Sequence, residues 1–179
     1  MKKQLLFLII TFFYFQSQAQ TSKGNLLLGG TANISSNSNE IIDSNTFNLG
    51  INPNLGYFFI DDLAIGATVG FNYFNGNNFS STNIGIAPFI RYYFVSTDNH
   101  GIFGFAGFGI SNINSKTGTS KDSSSSTNGN LGVGYVIFLN SSVGLEISAS
   151  YSFYKMKDQP SSATIGLGLG FQIYFEKGS

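Results

Sequence analysis

Residues 47–57 alternate in character. Phe47, Leu49, Ile51, Pro53, Leu55 and Tyr57 are apolar or aromatic, while Asn48, Gly50, Asn52, Asn54 and Gly56 between them are small or polar. A strand sends successive side chains to opposite faces, so this segment has one greasy face and one polar face. A helical period would mix the two sets. The same period of two runs through Leu63, Ile65, Ala67, Val69, Phe71 and Tyr73, through Val143 to Phe153, and through Ala163 to Phe175. Three further segments follow it with minor noise: Leu26 to Ile34, Ile84 to Phe94, and Leu131 to Leu139. Gly101 to Asn112 is ambiguous, because Ile102, Phe108 and Ile110 compete with Phe103 and Phe105 for the apolar face. The even-numbered set is taken.

The pattern predicts eight strands of about a dozen residues, close to the ~9–11 that a tilted membrane-spanning strand needs. Their connections alternate between short (Ile60–Asp62, Val95–His100, Asn140–Ser142) and long (Ser35–Asn45, Phe74–Ser81, Ile113–Asn128, Tyr154–Ser161). The third long one is nearly all Ser, Thr and Gly from Gly118 to Thr127, which predicts a mobile loop. The expected fold is all-β, an eight-stranded antiparallel up-and-down transmembrane β-barrel. Short turns are expected in the periplasm with both termini, and long loops outside the cell.

Charge placement decides which face meets lipid. Only 10% of residues are charged, with 9 basic against 9 acidic. A typical soluble domain carries about 25%. Within the strands the charges are Arg91 and Glu146, both on the polar face. A Lys or Arg facing mid-bilayer lipid would cost about 2–4 kcal/mol. A soluble barrel with its apolar face inward would instead stud its outer face with charge, and here that face carries Gly, Asn, Ser and Thr. The balance of charge gives nucleic acid nothing to bind. Cysteine is absent, which removes disulfides, thiolate metal sites and a lipid anchor.

Aromatic residues gather at strand ends, as expected of interfacial belts. Tyr57, Phe58, Phe59, Tyr92, Phe94 and Phe175 lie beside the short turns or the C-terminus. Phe47, Tyr73, Phe74, Phe79, Tyr151 and Phe153 lie beside the long loops. The polar face consists mostly of small residues, as the narrow interior of an eight-stranded barrel requires.

The N-terminus reads as a secretory signal over residues 1–19. Lys2 and Lys3 precede the apolar stretch Leu5 to Phe15, and Ser17-Gln18-Ala19 is a small-x-small cleavage site. The mature barrel domain is expected over 20–179.

The last strand, ending Gln172-Ile173-Tyr174-Phe175, alternates apolar residues and closes on Phe. With the pattern above, this resembles the small outer-membrane β-barrel family of the OmpA-transmembrane-domain and OmpX type, porin-like proteins of Gram-negative bacteria. The resemblance covers essentially the whole mature chain, although Glu176 to Ser179 extend past the Phe. It implies insertion by the barrel-assembly machinery and contact with outer-membrane lipid and lipopolysaccharide.

Candidate chemistry is sparse. His100 sits in a short turn beside Asp98 with no nucleophile nearby in sequence, and reads as a solvated residue. The glycine-rich runs 104–109 and 166–170 open no helix and carry no nucleotide-binding signal. No catalytic, cofactor-binding or metal site is expected. Counting depth from the turns places Arg91 and Glu146 at a similar level on opposite strands, both inward. They are expected to meet in the lumen, with Tyr93, Gln172 and Tyr174 around them. OmpA-like barrels suggest a gate there; a plug that fills the lumen is the preferred reading. The leading function is a non-enzymatic structural or surface-interaction role, with a narrow pore or solute conduit as the alternative and a soluble ligand-binding barrel less favoured.

Overall fold

The computed structural model describes residues 19–39, 44–157 and 159–176, so the predicted signal lies, Ala19 apart, outside the described residues. After a short 3-10 turn at Ala19–Thr21 come β1 (Leu26–Asn39), β2 (Ser44–Ile60), β3 (Leu63–Gly76), β4 (Phe79–Ser96), β5 (His100–Thr117), β6 (Ser120–Asn140), β7 (Val143–Met156) and β8 (Ser162–Phe175). Each strand pairs antiparallel with its neighbour in the chain, and β8 returns to β1 to close the barrel.

The alternation sets the faces. Ile51, Leu55, Ile65, Val69, Ile86, Ile90, Leu131, Val133, Leu145 and Ile147 all point outward and are exposed. A wall of this kind is wrong for water and right for hydrocarbon. In β5 the even-numbered set faces out, with Ile102, Phe108 and Ile110 exposed, while Phe103 is buried inside.

The two ends of the barrel differ. At the turn end, β2–β3, β4–β5 and β6–β7 are joined tightly, and the entering strand of each pair carries a register shift: Phe58/Ile60, Tyr93/Val95 and Phe138/Asn140. Phe59, Phe94 and Leu139, the residues the bulges leave unpaired, keep the outward parity of Tyr57, Tyr92 and Ile137 and are exposed, beside buried Phe58, Tyr93 and Phe138.

At the loop end the predicted long loops are corrected. The stretch Ile113–Asn128 is a hairpin, not a mobile loop: β5 and β6 stay paired from Ile113↔Ser124 to Thr117↔Ser120, linked by Gly118, at φ 58°, and Thr119. A ladder is held by backbone hydrogen bonds, and Ser and Thr side chains do not obstruct it. Phe74–Ser81 likewise contracts to a turn at Asn77 and Asn78, with φ of 27° and 34°. Two successive positive φ values suit Asn and match the twist of a two-residue hairpin. β1 extends through Asn39 and β7 through Met156, so the strands run 14 to 21 residues, longer than the predicted dozen. Of the predicted loop Ser35–Asn45, residues 40–43 lie outside the described residues.

The N-terminal segment is stitched across the turn end. The Asp62 amide donates to Thr21 O at 2.9 Å, Gly24 N to Phe58 O at 2.7 Å, and Phe58 N to Asn25 O at 3.0 Å. Thr21 Oγ1 donates to Asp62 Oδ1 at 2.6 Å and lies 2.9 Å from Ser96 Oγ. Gln20 and Thr21 are buried as a result. Burial pushes the Asp62 carboxyl above its ordinary value, against the Thr21 hydrogen bond and with help from neighbouring Asp61.

Candidate functional site

The lumen at the turn end is solid. Leu27, Phe58, Ala64, Tyr93, Phe103, Val136, Phe138 and Tyr174 form one buried cluster, with Phe89 and Phe105 packed against it. Phe58 lies 5.8 Å from Tyr93 and 6.5 Å from Tyr174, and Phe138 meets Tyr174 edge-on at 5.2 Å. Large rings fit a narrow barrel here because glycines face them. Phe103 lies over Gly134, Phe89 over Gly66 and Phe105 over Gly132, where a Cβ would collide with the ring. The expectation of a lumen face made of small residues is therefore corrected: it describes the loop half alone.

Within this cluster sit the charges. Arg91 Nη1 donates to Glu146 Oε1 at 2.6 Å and to Tyr93 Oη at 3.3 Å. Tyr93 Oη and Tyr174 Oη are 2.8 Å apart, and Tyr174 Oη donates to Glu146 Oε1 at 3.3 Å. The four groups close a ring: Arg91 to Tyr93, Tyr93 to Tyr174, Tyr174 to Glu146, and Glu146 back to Arg91. Each hydroxyl donates once and accepts once, so both hydroxyls are satisfied. The guanidinium also lies 4.3 Å from the centroid of Phe103, a cation–π contact. Gln172 is buried nearby and occupies the space that Gly29, its partner on β1, leaves free.

Above the plug the lumen opens into a vestibule of about 440 Å³. Its floor holds Phe89, Arg91 and Phe105, and its walls hold Asn52, Asn54, Asn128 and Asn130. Asn54 Oδ1 and Arg91 Nε are buried without a hydrogen-bond partner among the described residues. A larger hollow of about 930 Å³ is lined largely by outward residues such as Val69, Ile84, Ile86 and Ile110, with Lys155 and Lys157. Its apolar lining belongs to the wall that faces lipid, apart from the lumen chemistry.

The aromatic belts are corrected in part. Tyr57, Phe59, Tyr92, Phe94 and Phe175 are exposed on the outer face at the turn end, and Tyr151 and Phe153 are exposed towards the loop end. Phe47 and Tyr73 pair on the outside at 6.3 Å. Phe58 belongs to the plug. Phe74 and Phe79 occupy lumen-side positions of their strands and meet at 5.7 Å across the β3–β4 hairpin. His100 is also corrected. It begins β5 and stacks on Tyr135 at 5.8 Å, with Thr97 Oγ1 3.2 Å from Nδ1, so it is not simply solvated. Among the described residues, no three His, Cys, Asp or Glu side chains gather to hold a metal ion.

The ring-stacked plug residues Phe58, Phe89, Phe103, Phe105 and Phe138 were not anticipated as a group. Their signal was present: each is a bulky residue at a position the alternation assigns to the lumen.

A closed antiparallel ring of strands with an apolar exterior is the architecture of outer-membrane barrels. The sequence model for the outer membrane protein beta-barrel domain matches residues 5–172. The chain belongs to that family. It is an outer-membrane β-barrel protein. Among solved structures, Neisserial surface protein A aligns over 87% of this chain and 98% of its own at 15% identity, with a TM-score of 0.58. OprG from Pseudomonas aeruginosa aligns over 89% and 100% at 11% identity and 0.51. The translocator domain of the autotransporter NalP from Neisseria meningitidis aligns over 97% and 67% at 12% identity and 0.51. At such identities these barrels share the fold with this family member. No curated protein sequence matches the chain.

Proposed function

We propose that this protein is a non-enzymatic, plugged barrel whose role is structural and surface-presenting. The turn end and both termini face the periplasm, and the β3–β4 and β5–β6 hairpins project from the cell. Its partners are outer-membrane lipid and lipopolysaccharide, with the barrel-assembly machinery during insertion. The observation that carries this reading is the plug: aromatic rings fill the lumen at the turn end, and the Arg91–Tyr93–Tyr174–Glu146 ring ties four of its groups together. A solute path would have to breach both. A structural barrel needs no such path, and its paired outer hairpins offer surfaces for contact.

Planar-bilayer recording tests this. The wild-type protein is expected to give no conductance steps, and so are Arg91→Ala and Glu146→Ala, since the aromatic rings close the lumen without the ion pair. Steps in either single variant would turn the plug into a gate. Steps in the wild type would make the protein a pore. Protease accessibility of the β5–β6 hairpin on intact cells tests the orientation, and protection of that hairpin would reverse it.

A further inference from the structure

The ring is not closed along its whole height. β1 pairs with β8 only from Leu26↔Phe175 to Gly30↔Phe171, whereas β1 pairs with β2 from Leu26↔Tyr57 to Asn39↔Ser44, and β7 with β8 from Val143↔Ile173 to Tyr154↔Ser162. Thr31–Asn39 and Ser162–Gly170 are therefore two strand edges that face a gap at the loop end. The apolar residues on its lips are the most exposed of the large hydrophobics: Ile165 at 82%, Leu167 at 83%, Leu169 at 75% and Ile34 at 72%, against 37–60% elsewhere on the wall. At the foot of the gap stands Gly30 with φ 143°, a backbone angle other residues avoid, where β1 leaves β8.

The two edges match. Continuing the existing register pairs Thr31 with Gly170 and ends with Asn39 opposite Ser162, at the last residue of β1 and the first of β8. The lumen-side residues that would meet include Gly166, Gly168 and Gly170, so no bulk opposes closure. Unpaired backbone is costly in hydrocarbon, which favours closure whenever nothing occupies the gap. The gap also leads inward: Gly30 and Thr31 line the same vestibule as Asn52, Asn54 and Arg91. The aperture is thus amphipathic, with apolar lips, hydrogen-bonding edges, and beyond them an amide-rich chamber, charged only by Arg91 in its floor, of a size that suits a small ligand. The side chains of Asn52, Asn54, Asn128 and Asn130 bring amide donors and acceptors to its walls, which suit a hydroxyl or amide head. The guanidinium charge is already met by Glu146, so an anionic head gains little.

We propose that the upper β1–β8 seam is a lateral gate. It closes by zipping Thr31–Asn39 onto Ser162–Gly170, and when open it admits a single-chain amphiphile with an uncharged polar head from the bilayer into the vestibule. The plug stops the molecule there, so the vestibule is a binding site and not a passage. This goes beyond the structural role above and shares with it only the plug, on which the dead end of the vestibule rests.

A cysteine staple tests the gate, on a chain that has no cysteine of its own. Ala32→Cys with Leu169→Cys places two thiols opposite one another in the continued register, and a disulfide forms only if the edges come within bonding reach. Leu28→Cys with Ile173→Cys staples a pair already joined. Both variants are reconstituted in phosphatidylethanolamine and phosphatidylglycerol vesicles with a monoacylglycerol bearing a diazirine in its chain. Retained heat-modifiable mobility on gels shows that each is folded, and Asn33→Cys with Gly168→Cys replaces the first pair if it is not. The upper pair is expected to oxidise. Photolabelling of peptides containing Phe89 and Phe105 is expected in the reduced protein, falling to background once the upper staple forms and unchanged by the lower one. Failure of both upper pairs to oxidise would overturn the zipping. Equal vestibule labelling with and without the upper staple would overturn lateral admission, and labelling confined to outward residues would overturn the binding site.

Discussion

The two halves of the lumen are built from the same strands and solve opposite problems. In the turn half, ten apolar side chains converge on glycines and close the interior, and the charges there are held in a hydrogen-bonded ring. In the loop half, Asn, Ser, Thr and Gly line an open vestibule, and the seam between first and last strands is unpaired. The difference lies in what occupies the inward positions. Rings opposite glycines fill a barrel of this width, whereas small polar residues leave space and keep it hydrated. Closure follows the same division, since β1 and β8 join only where the plug supports them.

The comparison breaks hardest at the ion pair. Glu146→Ala strands a buried guanidinium in the turn half and is expected to cost about 3–5 kcal/mol in denaturant unfolding. The double variant Arg91→Met with Glu146→Leu should recover most of that loss, because the cost is the unpaired charge and not the missing attraction. If the double variant is as weak as the single one, the ring itself holds the plug together.

Tyr174→Phe is a finer cut. It removes one hydroxyl from the ring and leaves Tyr93 without its acceptor, for an expected loss of about 1–3 kcal/mol in the same assay. Because the ring of Phe remains against Phe58 and Phe138, planar-bilayer silence should persist.

Asp62 tests how tightly the turn end is shut. Its carboxyl lies above the ordinary value of 3.8 because burial disfavours the charge. Folding therefore favours the protonated form. The contribution is fully present below pH 3.8 and is lost as pH rises through the folded value. Protection of the Gly24 and Asp62 amides, taken relative to their intrinsic exchange rate at each pH, should thus be greater in mild acid than at neutral pH, and Asp62→Asn should flatten that difference. Asn also tolerates the φ of 64° at this position. A pH dependence that survives the substitution would assign it to another group.

In the loop half, Asn130→Ala should change stability by less than about 0.5 kcal/mol, as for a surface position without buried partners. A loss comparable to that of Tyr174→Phe would show that the vestibule wall carries structure after all.

Much of this molecule follows from a local period. Alternation alone determines that Leu, Ile and Phe rows face outward, that there are eight strands, and that Arg91 and Glu146 point into the lumen, because side-chain direction in a strand depends on the residue's own parity. Phe103 and Phe105 were legible in the same way once the even-numbered face of β5 was taken as the outer one. The extent of the strands was less so: Ser120–Asn128 carries no apolar signal, yet its backbone pairs as well as any other. What only the tertiary structure decided are relations between distant strands. Depth and parity already point to Arg91, Glu146, Tyr93 and Tyr174 sharing one level; that the two hydroxyls link into a closed hydrogen-bonded ring across β4, β7 and β8 depends on stagger and on three bulges. The open seam between the first and last strands is likewise invisible in either strand's sequence, since whether an edge is paired is a property of both edges and of the curvature that brings them together.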